Sequence, residues 1–333
     1  VRVTDNLLQM TTCQDAFFIL RDVTNPTISN NMSGGDTVWR YKQRSDGYNV
    51  DFYDSPPDGA KIDRIQYRIV SSTGGVITDW HSFILNPGTT FYTVSWSLAT
   101  SHWSAIPEGQ NDISVRVIDR ANNTATFTNA FYVRKDTTVP TITDNQSGDT
   151  TWQSANNVTY NIDFLDATSG SQLDKFQVYV ATKPNQSTDA TIANWTDNPA
   201  AGFNGSTSYT TNWPLASDLW PLLLSGTTNY ISFRVYDSAG ITSAVTADAF
   251  YILKDSITPT YTDLQDGDTV YRKVNDGIYN INFADSGGST LNKFQVLASS
   301  VGYAQPPYLF DWTDNPAGGF LGASSSTRRY NSR

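Results

Sequence analysis

The residues best placed to do chemistry in this chain are aspartates, and they recur in columns. Asp22, Asp136 and Asp255 close one repeated motif, Asp54, Asp166 and Asp285 a second, and Asp5, Asp119 and Asp237 a third. Of the 32 acidic residues only Glu108 is a glutamate. Aspartate suits turns, where its short side chain accepts a nearby backbone N–H, and it suits oxygen-rich sites for hard cations such as Ca²⁺. Both uses are open from the sequence alone. A further column, Asp36, Asp149 and Asp268, lies in a Gly-Asp-Thr motif whose preceding residues (NNMSG, DNQS, DLQD) read as compact turns.

Other chemistry is poorly represented. The histidines, His81 and His102, align with Thr196 and Leu219 in the next copy of the repeat, so neither belongs to the recurring design. No nucleophile elbow, zinc-protease motif, phosphate loop or dinucleotide fingerprint is present, and the chain reads as a non-enzyme. The formal charge of −10, with no basic cluster, argues against nucleic acid and anionic membranes as partners. No apolar run approaches the roughly 18 residues of a membrane helix. Cys13 has Phe127 and Thr246 as its counterparts, which predicts a small buried hydrophobe.

The elements that must position the aspartates are read from the repeat itself. DAFFILRDVTNPTI at 15–28 returns as NAFYVRKDTTVPTI at 129–142 and as DAFYILKDSITPTY at 248–261. The same register carries YNVDFYD, YNIDFLD and YNINFAD at 48–54, 160–166 and 279–285. The offset is roughly 110–120 residues, the length of one small domain. Residues 1–22 read as the last strands of one copy, 23–136 and 137–255 as two full copies, and 256–333 as part of another. Val158–Phe164 alternates apolar and polar residues, as a strand with one buried face does, with Val158, Tyr160, Ile162 and Phe164 pointing inward. Phe176–Val180, Ser208–Trp213, Tyr230–Tyr236 and Ala249–Leu253 read likewise, and only Leu215–Leu224 suggests a helical turn. About seven short strands per copy fit an all-β fold of tandem immunoglobulin-like β-sandwich domains in an elongated array. The nine tryptophans fall into four columns, as core or hairpin packing demands.

The chain resembles the bacterial Ig-like tandem repeats of giant secreted and cell-surface proteins. The resemblance rests on VRVTDN (1–6), VRVIDRANN (115–123) and FRVYDSAG (233–240), each followed by a last strand ending in RDVTNP, KDTTVP or KDSITP. Here the final Gly-Asn of the family's turn is replaced by Asn122-Asn123 and Gly240-Ile241. The resemblance implies sandwiches joined pole to pole. Asp22, Asp54 and Asp119 would then meet at one joint, Asp136, Asp166 and Asp237 at the next, and Asp255 with Asp285 at a third. It also implies Ca²⁺ as the ion that stiffens such joints, with turn-making as the alternative use of the same residues. The implied function is an extracellular stalk, fibre or surface layer that contacts other copies of itself or neighbouring surface proteins. The alternative is an adhesive module in which Trp195, Asp197, Trp312 and Asp314 grip a glycan or a protein.

Overall fold

The computed structural model describes residues 1–54, 59–167, 170–274, 276–302, 305–315 and 319–331. The chain is all-β and divides into two compact units. One comprises Val1–Thr138 with Ala167–Ser171 and Ser238–Ile241; the other comprises Val139–Asp166, Gln172–Asp237 and Thr242–Arg333.

The first unit opens on a hairpin of β1 (Arg2–Thr4) and β2 (Met10–Thr12), in which every residue is exposed. A sandwich follows, made of β3 (Thr27–Asn30), β4 (Trp39–Arg40), β5 (Val50–Tyr53), β6 (Ile62–Ser71), β7 (Val76–Leu85), β8 (Phe91–Tyr92), a short helix α1 (Thr100–Ala105), β9 (Gly109–Asp119) and β10 (Thr124–Lys135). Its sheets run β3-β5-β8 and β4-β10-β9-β6-β7, antiparallel except where β4 joins β10. The period-2 pattern does the sorting. In β5, Val50 and Phe52 are buried while Asp51 and Tyr53 are half-buried. Between the sheets Trp96 stacks on Phe83 at 4.4 Å, and Tyr48 stacks on Phe131 at 4.8 Å. Each buried aromatic contributes about 2–3 kcal/mol of transfer free energy, which makes this cluster the main source of stability in the sandwich.

The second unit repeats the plan. Its strands are β11 (Thr141–Asp144), β12 (Thr159–Tyr160), β13 (Ile162–Leu165), β14 (Leu173–Ala181), β15 (Thr191–Asp197), β16 (Ser208–Tyr209), β17 (Trp213–Pro214), β18 (Thr227–Asp237) and β19 (Thr246–Lys254). The order β11-β13-β16 matches β3-β5-β8, and β15-β14-β18-β19 matches β7-β6-β9-β10. Tyr160, Phe164, Phe176, Trp213, Phe233 and Phe250 form its centre. The same unit then carries β20 (Thr260–Asp263), β21 (Ile278–Ala284), β22 (Gln295–Val301), β23 (Gln305–Asp314) and β24 (Ser325–Asn331). Here β20-β21-β24 again repeats the three-stranded sheet. Its third strand comes from the final stretch, Ser325–Asn331.

Two expectations are corrected. Cys13 is exposed rather than buried, because the β1–β2 ribbon has no apolar layer packed on it among the described residues. The segment Ser208–Trp213 is not one strand. Residues 208–209 pair with β13, whereas Trp213–Pro214 pair with β12, and the chain changes partner between them.

Some recurring motifs are explained by local geometry. Asn129 and Asp248 both have φ of 49°, and their N–H groups donate to the hydroxyls of Ser114 and Ser232 on the neighbouring strand. Asn and Asp tolerate this left-handed conformation better than other side chains, so the motif keeps one of them before Ala-Phe. Gly35 and Gly148 lie against the rings of Tyr132 and Tyr251, where an added Cβ would sit 2.3 and 2.0 Å from a ring carbon.

Candidate metal centre

In the first unit, Asp22, Asp54 and Asp119 come together. Each offers a carboxylate oxygen within 4.8 Å of the others. Asp54 follows β5, Asp119 ends β9, and Asp22 lies on the segment that leads into the sandwich. Asp119 is fully buried, and both of its oxygens are held by Asn123, through its N–H and its side-chain amide, each at 2.8 Å. Asp22 accepts the N–H groups of Ala60 at 2.7 Å and Thr24 at 2.9 Å, and these two donors hold its carboxyl below the ordinary value. The Asn123 amide also reaches the Asp22 carbonyl at 3.4 Å.

Asp54 differs from both. It is 3% exposed, and neither of its carboxylate oxygens accepts a hydrogen bond. Burial pushes its carboxyl above the ordinary value; the Lys61 N–H, which faces it without closing a hydrogen bond, partly offsets that, and the Asp119 and Asp22 charges raise it further. A buried carboxylate without a donor costs several kcal/mol unless a proton or a cation neutralises it. Turn-making accounts for Asp22 and Asp119, whose oxygens accept backbone N–H groups two and four residues on. It does not account for Asp54. The donor set is all oxygen, which is the chemistry of Ca²⁺ rather than of a softer metal. Asp22, Asp54 and Asp119 are the side chains that would hold such an ion, and it would supply the positive charge that Asp54 lacks.

Of the remaining aspartates of these columns, Asp136, Asp166, Asp237, Asp255 and Asp285 are buried and Asp5 is exposed. Asp136, in the first unit, accepts the N–H groups of Thr138 at 2.9 Å and Ser171 at 2.6 Å. Asp166 and Asp237, in the second, bring carboxylate oxygens within 4.8 Å of one another. Asp255 and Asp285 share Ser289, whose N–H donates to Asp255 at 2.9 Å and whose hydroxyl lies 3.4 Å from Asp285. Burial opposes the Asp255 charge, but Ser289 and the Ile257 N–H outweigh it and leave the carboxyl below its usual value.

The aromatic and acidic residues of the adhesive alternative are placed as follows. Trp195 lies on the outer face of the four-stranded sheet, with the Arg234 guanidinium 4.5 Å above its ring. Arg234 is itself fixed by Gln177 at 2.7 Å. Asp197 is engaged by Gln177 and Lys175. Asp314 is engaged in the same way by Gln295 and Lys293, and Trp312 is 61% exposed. In the first sandwich Arg116 covers Trp80 at 4.3 Å. Sequence reasoning missed this arginine partner, although Arg116 and Arg234 stand in one column of the repeat.

It also missed a buried lysine. Lys135 Nζ donates to the carbonyls of Trp103, Ser104 and Ile106, and Lys254 Nζ to those of Trp220, Pro221 and Leu223. The signal was present as the Lys-Asp pair that ends each of these strands.

No protein-family model matches the chain, and no curated protein does. Among solved structures it is similar to a tetra-tandem repeat in the extending region of a large adhesion protein, at TM-score 0.29 and 12% identity over 91% of this chain. The chain spans 64% of that protein's length. It is also similar to fibronectin(III)-like modules of Clostridium thermocellum CbhA, at TM-score 0.28 and 12% identity, covering 69% of this chain and 95% of that one. A third is a 1.5-MDa bacterial ice-binding adhesin described for host cell surface retention, at TM-score 0.28 and 18% identity, covering 83% and 81%.

Proposed function

We propose that this chain is a structural segment of a large extracellular repeat protein, of the bacterial Ig-like type, and that its sandwiches set the reach and stiffness of a stalk, fibre or surface layer. The observation that carries the reading is the recurrence of one strand order with a separate closed aromatic core, in β3–β10 and again in β11–β19. A domain repeated with its own core resists extension copy by copy, which is what a tether requires. Its partners are other copies of itself or neighbouring surface proteins. Within this reading, Ca²⁺ at Asp22, Asp54 and Asp119 ties the entering segment to the ends of β5 and β9, and the matching residues Asp255 and Asp285 bind in the same way.

Single-molecule stretching of the whole chain tests the mechanical role. Two sandwiches of this size release roughly 35–40 nm each when they unfold, given about 3.6 Å per extended residue. Two such increments are expected, with rupture forces that fall when calcium is replaced by EDTA. A single increment for the whole chain would end the mechanical reading; equal forces with and without calcium would end the ion's part in it.

A further inference from the structure

The two histidines that the repeat does not require meet in the first sandwich. His81 lies on β7 and His102 on α1, with ring centroids 4.5 Å apart and an interplanar angle of 87°. Tyr67 of β6, fully buried, has its ring 5.3 Å from His81 and 5.7 Å from His102. Its hydroxyl accepts the Ala99 N–H at 3.0 Å and lies 2.7 Å from His102 Nδ1. Because that oxygen already accepts a donor and its own proton needs an acceptor, the hydroxyl donates to Nδ1. His102 is then neutral, with its proton on Nε2.

The groups facing this pair offer no compensating charge. Tyr67 faces it from β6, and Lys135 brings an ammonium from β10 to the last carbonyls of α1. Gln43, which donates to the Leu98 carbonyl just before α1, is neutral. The acid next along β7, Asp79, lies 3.4 Å from Arg68. Among the described residues no carboxylate forms an ion pair with either ring.

We infer that Tyr67, His81 and His102 form an acid-sensitive latch, which holds α1 on the sandwich at neutral pH and releases it when an imidazole is protonated. Protonation of Nδ1 turns an acceptor into a donor, and the Tyr67 proton then has nowhere to go within the cluster of Tyr48, Phe83 and Trp96. It also sets a positive charge against the His81 ring. Burial, and then the neighbouring His81, already hold His102 below the ordinary histidine value. A base depressed in this way leaves the unfolded state binding more protons. Stability is therefore full above the ordinary value of about 6.5 and is lost as the pH falls below it and through the lower folded value. The second sandwich is a control within the same chain, since Thr196 and Leu219 stand at these positions.

Amide hydrogen exchange on the intact chain tests this, at about pH 7.5 and about pH 5, which bracket the ordinary histidine value. After correction for intrinsic rates, residues 99–106 are expected to lose protection on acidification while 216–223 keep theirs. His102→Leu, which copies Leu219, is expected to abolish the response. His81→Thr, which copies Thr196, is expected to weaken it and to move the His102 ring titration, followed by NMR, up toward the ordinary value. Equal losses in both segments, or a response that survives in His102→Leu, would overturn the latch. If His102→Leu lowers protection already at neutral pH, the His81→Thr titration decides, and an unmoved His102 value refutes the proposal.

Discussion

Arg40 grips Asp36 through both Nε and Nη2, and the second sandwich keeps the aspartate, as Asp149, but has Gln153 in place of the arginine. The third copy restores the pair as Arg272 and Asp268. Asp149 is 8% exposed, so burial pushes its carboxyl above the ordinary value, with the Leu253 N–H lowering it only in part. The turn column is thus an ion-pair site in two copies and a strained acid in one.

Gln153→Arg is expected to raise the stability of the second sandwich by about 1 kcal/mol at neutral pH, the scale of a partly buried ion pair. The pH dependence gives a sharper check. With a raised folded value, wild-type Asp149 gains stability as the pH falls from above that value toward the ordinary value of about 3.9, because the folded state takes up the proton first. The arginine removes that gain. Urea unfolding across this range, followed by the Trp213 environment, should show a flatter profile in the variant.

Asp54→Asn should change sign with the solution. In EDTA it removes a buried charge that has no donor and is expected to stabilise the first sandwich by about 1–2 kcal/mol. In calcium it removes a ligand. The wild type should gain about 2.7 kcal/mol at a hundredfold excess over its dissociation constant, and the variant very little. Thermal unfolding in both buffers measures the two effects. A variant that loses stability equally in each would show that Asp54 serves the fold without an ion.

Much of this could be read in the sequence because the repeat restates it. The inward Tyr160, Ile162 and Phe164 followed from period-2 alternation, and the meeting of Asp22, Asp54 and Asp119 followed from the strand ends expected of such a sandwich. The change of partner between Tyr209 and Trp213 was hidden, since a strand that switches sheets keeps its alternation while its hydrogen bonds move. The outer Trp195–Arg234 stack was hidden for another reason. Periodicity assigns residues to faces, but it does not say which side chains on a solvent face will cover one another. Cys13 was misjudged because its residue type was read as burial, whereas its counterpart Phe127 is itself exposed and Thr246 only half-buried, so the column is not a core position.

Gly148→Ala is expected to destabilise the second sandwich by about 2–3 kcal/mol, the scale of overpacking, because the new methyl would meet the Tyr251 ring. The ring, not the backbone, is the obstacle, since Gly148 is not among the positive-φ residues. Tyr251→Ser should therefore rescue much of the loss in the double variant. At Gly35, where φ is +69°, the matching Tyr132→Ser should rescue less, because backbone strain remains. A double-mutant cycle at each site, read by chemical denaturation, separates the two causes.

Lys254→Met tests whether the buried ammonium shapes the fold. Its Nζ lies 2.8 Å from the Leu223 carbonyl and 3.0 Å from that of Trp220, closing a turn whose backbone oxygens have few other donors. Burial lowers the affinity of this amine for its proton, while its three carbonyl acceptors favour the ammonium form. Methionine keeps the length and removes every donor. The expected cost is about 2–4 kcal/mol, since the carbonyls are stranded while the apolar stem still packs. The loss should appear first as faster amide exchange across 219–224, before the sheet strands open. If Lys254→Met leaves that turn as protected as in the wild type, packing of Trp220 and Leu223 holds the turn and the lysine is incidental to it.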